Sequence, residues 1–248
     1  MKIVPTASLI ISCLIAATGP AVNARVPVLL ELFTSEGCSS CPPADRLLEA
    51  LDRQPVADAD LIVMSEHVDY WNDLGWSDPY SSPVFSARQQ KYAGRLGTSV
   101  YTPQLVLDGQ FQATGSDQRE VTAAIARAVR EAKLPVAVRV VRTGNGGSVH
   151  VDANSTGKSA DLYIAIAADH MSSHVLSGEN GGKTLTHVAV TQSITRVGKW
   201  EGSGLAGRDV PMTAKQLPAT AQAGETRVIA ILQDPRTGRI LGVAQARI

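Results

Sequence analysis

The first half of the chain alternates between short apolar runs of strand length and longer stretches with helical periodicity. Val26 to Phe33 is an apolar run rich in branched residues, which predicts a buried central strand. Pro42 then suits a first helical turn, and Leu47, Leu48 and Leu51 form the apolar stripe of that helix. The later runs predict, in chain order, strand Leu61 to Ser65, helix Val84 to Leu96, strands Gln104 to Leu107 and Phe111 to Thr114, and a helix carrying Val121, Ile125 and Val129.

From Pro135 the pattern changes to short alternating runs separated by Gly-rich or polar turns, and no helical stripe follows. These runs are Val136 to Arg142, Ser148 to Ala153, Leu162 to Ala168, Thr184 to Ile194, Arg227 to Gln233 and Ile240 to Ala246. We therefore predict an α/β domain over residues 25–134 and an all-β, sandwich-like domain over residues 135–248.

The N-terminus has the layout of a signal peptide. A basic start at Lys2 precedes an apolar run from Ile3 to Ala17, and small residues then lead to Ala24. Cys13 lies in a loose match to a bacterial lipidation site, but the apolar run continues past it, which argues against cleavage there. We predict a signal peptide over residues 1–24, cleaved near Ala24, and a secreted or periplasmic mature protein.

Charge and composition narrow the classes of partner. The 248 residues are 44% hydrophobic and 19% charged, enough to bury a core and inconsistent with disorder. Lys and Arg total 23 against 23 Asp and Glu, so no basic surface for nucleic acid is expected. No segment after the predicted signal peptide is apolar enough to span a membrane.

The candidate chemistry lies at Cys38 and Cys41, the two cysteines left after removal of the predicted signal peptide. A Cys-x-x-Cys at a helix start places a thiolate near helical N–H groups, and the thiolate is the attacking species. Cys38 is then the nucleophile and Cys41 the resolving residue. A permanent structural disulfide is the alternative, although so short a loop gives little stabilisation. A structural zinc site would need four ligands, and a second Cys pair is absent.

Thr102-Pro103 precedes an apolar strand. A cis X-Pro bond there would expose the Thr102 backbone for strand-like pairing with a bound chain. An ordinary proline at a strand start is the alternative.

Together, Cys38-Ser39-Ser40-Cys41, Thr102-Pro103 and the element order resemble the thioredoxin superfamily. Longer motifs resemble a bacterial family of predicted secreted proteins known only as a domain of unknown function: Phe33 to Asp45, His67 to Trp71, Gly75 to Asp78, Tyr101 to Gln104 and Gln233 to Pro235. The resemblance implies a thioredoxin-like N-terminal domain. It also implies a buried acid before the motif, for which Glu31 is the candidate, one position out of register; an exposed strand residue is the alternative.

The aromatic segment after the second predicted strand is the second candidate region. Tyr70, Trp71 and Trp76 could line a peptide groove beside the thiols, or pack beneath a long loop. His67 and Asp69 could form an acid/base or metal pair, although hydrogen-bonded loop residues are the more common case.

A group of histidines and carboxylates in the second half also invites a metal interpretation: Asp169, His170, His174, Glu179 and His187. Their spacing matches no helical metal motif, and a strand end followed by a loop is the simpler account. We predict no metal and no cofactor.

The sequence therefore favours thiol-disulfide exchange with the thiols or disulfides of exported proteins. The alternative is a non-catalytic binding protein that carries Cu(I) or a peptide, with Cys38, Cys41 and His67 as possible Cu(I) donors.

Overall fold

The computed structural model describes residues 25–143, 146–154, 159–200, 206–213, 216 and 224–248. The predicted signal peptide and Cys13 lie outside these residues. Within the described ranges, the helices are all too short or too polar to cross a membrane.

The described chain contains three helices and eleven strands. The helices are α1 (Pro42–Arg53), α2 (Pro83–Leu96) and α3 (Gln118–Ala128). The strands are β1 (Val26–Thr34), β2 (Ala59–His67), β3 (Gln104–Leu107), β4 (Phe111–Thr114), β5 (Val136–Thr143), β6 (Gly146–Ala153), β7 (Ala160–His174), β8 (Thr184–Trp200), β9 (Ala206–Thr213), β10 (Thr226–Gln233) and β11 (Ile240–Arg247). The predicted order of elements up to α3 is confirmed.

Local signals fix the helix ends. The Ser82 side chain accepts a hydrogen bond from Val84 N, and Gly97 ends α2 with a φ of 67° that other residues rarely adopt. Asp117 caps α3 by accepting from two backbone amides of its first turn. These caps explain why the helix positions follow from sequence.

Eight strands form one mixed sheet in the order β11-β10-β7-β8-β2-β1-β3-β4. β1 runs parallel to β2 and antiparallel to β3. β8 joins the outer edge of β2 in parallel, where Ser65 pairs with Val190. Strands from both halves of the sequence therefore share a single sheet.

The predicted fold class is wrong. The described residues are mostly β, with 48% strand and 18% helix, and do not form a thioredoxin-like α/β domain followed by an all-β domain. The physical reason is strand pairing: β7, β8, β10 and β11 extend the sheet of the first half, because β8 covers the β2 edge. Hydrophobic patterns identify strands but not their neighbours.

The remaining strands form a three-stranded sheet in the order β5-β6-β9. Its buried side chains, including Val149 and Val151, pack against Ile164 of β7 and Val228 of β10. This face and the strands that it covers form a second hydrophobic core, which contains no residue of α1.

The two faces of β1 carry different helices. Leu30 and Leu32 share a core with Leu48 of α1 and Ile125 of α3. Phe33 faces the other way and meets Tyr92 of α2, with ring centroids 6.2 Å apart. Alternate residues of β1 therefore point to separate environments.

β7 and β8 form an unusually long hairpin of 15 and 17 residues. Its strands remain paired as far as His174 and Thr184. The loop that joins them, residues 175–183, thereby reaches the carboxyl end of β1, where the cysteines lie.

Candidate functional site

Cys38 and Cys41 form a disulfide with a Cα–Cα distance of 5.5 Å. The turn after β1 delivers Cys38, and Cys41 is the residue directly before α1. Both cysteines are fully buried, whereas Ser39 and Ser40 between them are exposed. The two serines are therefore exposed to solvent, and the two cysteines are not.

The helix start adjoins the second cysteine. The Cys41 carbonyl accepts hydrogen bonds from Ala44 N and Asp45 N, so α1 begins immediately after the disulfide. The positive end of the helix dipole lies here and favours a thiolate. Pro42 and Pro43 remove two N–H donors from this first turn, which weakens that stabilisation.

The predicted proline turn lies beside the disulfide. The Thr102-Pro103 peptide bond is cis. Ser40 Oγ lies 3.5 Å from the Thr102 carbonyl oxygen, and Trp71 Nε1 donates to Thr102 Oγ1 at 2.9 Å. Three predicted site residues therefore lie against the Cys-x-x-Cys turn.

The other predicted aromatic residues have separate partners. Tyr70, 42% exposed, donates its hydroxyl to Gln89 Oε1 at 3.1 Å. Trp76 Nε1 donates to Glu36 Oε2 at 2.8 Å, two residues before Cys38. Trp76 therefore holds the Glu36 side chain just before the Cys-x-x-Cys turn, and part of the Tyr70 side chain is exposed to solvent.

The loop at 175–183 contributes residues that the sequence interpretation missed. Asn180 is fully buried, and its Nδ2 donates to the carbonyls of Glu36, at 2.8 Å, and Cys38, at 3.0 Å. Its neighbour Glu179 accepts from Ser39 N at 3.0 Å. Asn180 reads as an ordinary turn residue before two glycines, and no sequence signal links it to a cysteine 142 residues away.

Two buried histidines lie beneath this turn. His67 Nδ1 is 2.7 Å from Asp78 Oδ2, and His187 Nε2 is 3.2 Å from Glu36 Oε1. The two rings meet edge to face with centroids 4.6 Å apart. His67 therefore pairs with Asp78 and not with Asp69, whose carboxylate accepts from Ser86 Oγ at 2.5 Å.

The charges beneath the turn stabilise one another. Burial lowers the pKa of His187, but Asp45 and Glu36 outweigh that effect and raise it to about 9. Burial raises the pKa of Glu36, but hydrogen bonds from His187, Ser173 and Trp76 lower it below its ordinary value. His187 lies between two carboxylates, 3.2 Å from Glu36 and 3.7 Å from Asp45, and consequently links β8 to the turn and to α1.

Glu31 lies on the opposite face of β1 from α1. It is fully buried, and its carboxylate accepts from Arg88 Nε at 2.5 Å and from the Tyr92 hydroxyl at 2.6 Å. Neighbouring Glu66 is also buried, and burial together with Glu31 raises its pKa well above the usual range. Glu31 thus belongs to an ion-pair cluster under α2 and not to the surroundings of the disulfide.

Within the described ranges, no three or more His, Cys, Asp or Glu side chains are arranged to hold a metal ion. The residues that suggested a metal in the second half have other partners. His170 lies 3.1 Å from Asp169, and His174 lies 3.3 Å from the Thr184 hydroxyl.

The fold and site define a mixed β-sheet protein with a buried disulfide at the start of its first helix. Residues 29–233 match the family described as protein of unknown function (DUF1223), and the chain belongs to this family. Cys38, Cys41, the proline turn and the Asn180 loop all lie within the matched residues.

Two solved structures are similar over most of the chain. The crystal structure of an Agrobacterium tumefaciens protein is 28% identical with a TM-score of 0.68, covering 90% of this chain and 94% of that one. HBP35 of Porphyromonas gingivalis is 14% identical with a TM-score of 0.67, covering 90% and 76%, and shows the fold alone. Comparison with curated proteins finds no match.

Proposed function

We propose that this protein carries out thiol-disulfide exchange with exported proteins through Cys38 and Cys41. The observation that carries the proposal is the position of their disulfide, between the N-terminus of α1 and the Thr102 carbonyl. At the level of the motif, this arrangement resembles the thioredoxin superfamily. The resemblance supports the chemistry, although the domain architecture that it implied is wrong for this chain.

The exchange proceeds in two balanced steps. In the reduced protein, the Cys38 thiolate attacks a substrate disulfide, and a Cys38–substrate bond forms as one substrate sulfur leaves as a thiolate. The Cys41 thiolate then attacks Cys38 Sγ, forming the intramolecular disulfide and releasing the second substrate sulfur. Two electrons pass to the substrate, whose two sulfurs each take a proton. The reverse sequence oxidises a substrate dithiol, and the relative reduction potentials set the direction.

The burial of both cysteines means that this exchange requires a local movement of the protein. Because both cysteines are fully buried, a substrate sulfur reaches Cys38 Sγ only after the covering residues move. Asn180 attaches the 175–183 loop to the Cys38 carbonyl, and loops open at lower free energy than core strands. The proposed reaction therefore begins with displacement of residues 175–183.

An insulin-reduction or scrambled-substrate assay on wild type, Cys38→Ser and Cys41→Ser tests the proposal. Wild type should turn over, and both variants should not. Cys41→Ser should accumulate a mixed disulfide with substrate, whereas Cys38→Ser should not, because Cys38 makes the first attack. Equal behaviour of all three proteins would exclude exchange and leave a structural disulfide.

The Cu(I) carrier is the alternative that the same proteins test. The reduced wild type should then bind one Cu(I) tightly and lose it in either serine variant, without turnover of disulfides. A redox titration of the Cys38–Cys41 pair, run in parallel, gives the direction of exchange.

A further inference from the structure

Exposed apolar side chains are concentrated around the disulfide. Six large hydrophobic residues are exposed in the described part of the chain, and Tyr70, Leu74, Val100 and Leu176 belong to segments that border the Cys-x-x-Cys turn. Leu176 is 73% exposed and Leu74 is 61% exposed. Exposed apolar side chains that cluster at one place mark interaction surfaces, whereas singly scattered ones are ordinary.

Direct contacts join these segments into one surface, which we call the rim: residues 70–76, 98–102 and 175–183. Ser177 Oγ donates to the Gly75 carbonyl at 2.5 Å, which joins the segment that carries Leu176 to the segment that carries Leu74. Trp71 Nε1 donates to Thr102 Oγ1, which joins the segment that carries Val100. Glu179 attaches the rim to Ser39 inside the Cys-x-x-Cys turn.

The rim is acidic as well as apolar. Asp73 and Glu179 are exposed, and hydrogen bonding from Ser39 lowers the pKa of Glu179. Lys183 is the single cation of these three segments, and its Nζ donates to Asn180 Oδ1 at 2.9 Å. The rim therefore carries two exposed carboxylates against one lysine, and the carboxylate of Glu179 lies directly against the turn that carries the cysteines.

We propose that the rim docks an extended segment of a protein substrate that carries apolar and basic side chains next to the reacting cysteine, and that Glu179 disfavours acidic thiols. The inference rests on the proposed exchange function and names its substrate class. Leucines on both sides of the turn provide contact area for apolar side chains, and the carboxylate selects the sign of charge. A small acidic thiol such as glutathione gains nothing from the leucines and is repelled by Glu179.

The test first measures binding without exchange. Fluorescently labelled peptides of equal length, with serine in place of cysteine, are titrated against the oxidised protein: one apolar and basic, one apolar and acidic, one polar and basic. Wild type should bind the apolar basic peptide most tightly. The Leu74→Ser/Leu176→Ser double variant should lose at least about tenfold in affinity for it, because each leucine buries apolar area.

Two further variants sharpen the result. Val141→Ser changes a side chain that is 57% exposed on β5, away from the rim, and should leave binding unchanged. Glu179→Gln keeps an acceptor for Ser39 N but removes the charge, and should reduce the preference for basic over acidic peptide by about threefold. Equal affinity of wild type and the double variant, or a wild-type preference for the acidic peptide, would overturn the inference.

Exchange rates with the cysteine forms of the same peptides, linked as disulfides to a chromophore, separate the two proposals. Failure to react with every disulfide, including a small-molecule one, refutes the exchange function, whereas the binding titration still decides the rim. Reaction at equal rates with all three peptides refutes the rim and leaves exchange intact.

Discussion

Replacing Asn180 with alanine should uncover the disulfide. The Asn180 amide donates to two carbonyls of the turn, those of Glu36 and Cys38, at 2.8 and 3.0 Å. A hydrogen bond of this kind contributes ~1 kcal/mol net, so the pair holds the loop closed by ~2 kcal/mol. Loss of both should raise the population of the open loop ~30-fold.

The assay is the rate at which dithiothreitol reduces the native protein, followed by alkylation of the released thiols and mass spectrometry. If reduction requires loop opening, Asn180→Ala should be reduced ~30-fold faster than wild type. Lys183→Met is the matched control, because it removes the partner of Asn180 Oδ1 and leaves both Nδ2 donations in place. It should change the rate by no more than about threefold.

Urea distinguishes local opening from global unfolding. Opening of one loop exposes little surface, so the rate should be nearly independent of low urea concentrations, whereas reduction through global unfolding rises steeply. Equal rates for wild type and Asn180→Ala would refute the role of Asn180 as a cover. A rate that follows the global unfolding equilibrium at every urea concentration would refute it too.

Two further predictions concern buried charges. Glu31→Gln leaves the buried Arg88 without its close carboxylate and should cost about 3 kcal/mol in urea unfolding, whereas Glu66→Gln should change stability by less than about 1 kcal/mol, because burial and Glu31 already raise the pKa of Glu66. Equal losses in the two variants would contradict this assignment. The raised pKa of His187, about 9, gives stability that is complete below its unfolded value near 6.5 and is lost as the pH rises through about 9. Wild type should therefore lose ~3 kcal/mol more than His187→Gln between pH 6.5 and pH 9.5, and parallel profiles would show that His187 is not protonated in the fold.

The elements of the first half could be predicted because their signals are local. The α3 cap at Asp117 and the stop at Gly97 are readable from a few neighbouring residues. The pairing of β8 with β2 could not, because Ser65 and Val190 carry no mark of each other and the two strands meet through a single ladder pair. The predicted fold class was wrong because the sequence did not reveal this strand pairing, which joins the two halves in one sheet.

The candidate site likewise contains residues that could be predicted from local motifs and residues that could not. Recognisable motifs mark Cys38, Cys41 and the proline turn, so their proximity could be predicted from the sequence. Trp71 joins them through its hydrogen bond to Thr102. Glu31, the candidate for a buried acid, is buried, and strand alternation places its carboxylate with Arg88 on the face opposite α1. Asn180 could not be found, since a buried amide that donates to distant backbone carbonyls leaves no pattern in the sequence.

The long β7–β8 hairpin also imposes an order in time on the cysteines. Asn180 follows Cys38 by 142 residues, so a ribosome adding ~5 to 20 residues per second makes Cys38 roughly 7 to 28 s before Asn180. Until β8 is complete, it cannot pair with the edge of β2, and the hairpin cannot hold Asn180 against the Cys38 carbonyl. We therefore expect the two sulfurs to be most accessible in the nascent chain and to become buried when the β7–β8 hairpin closes over the turn.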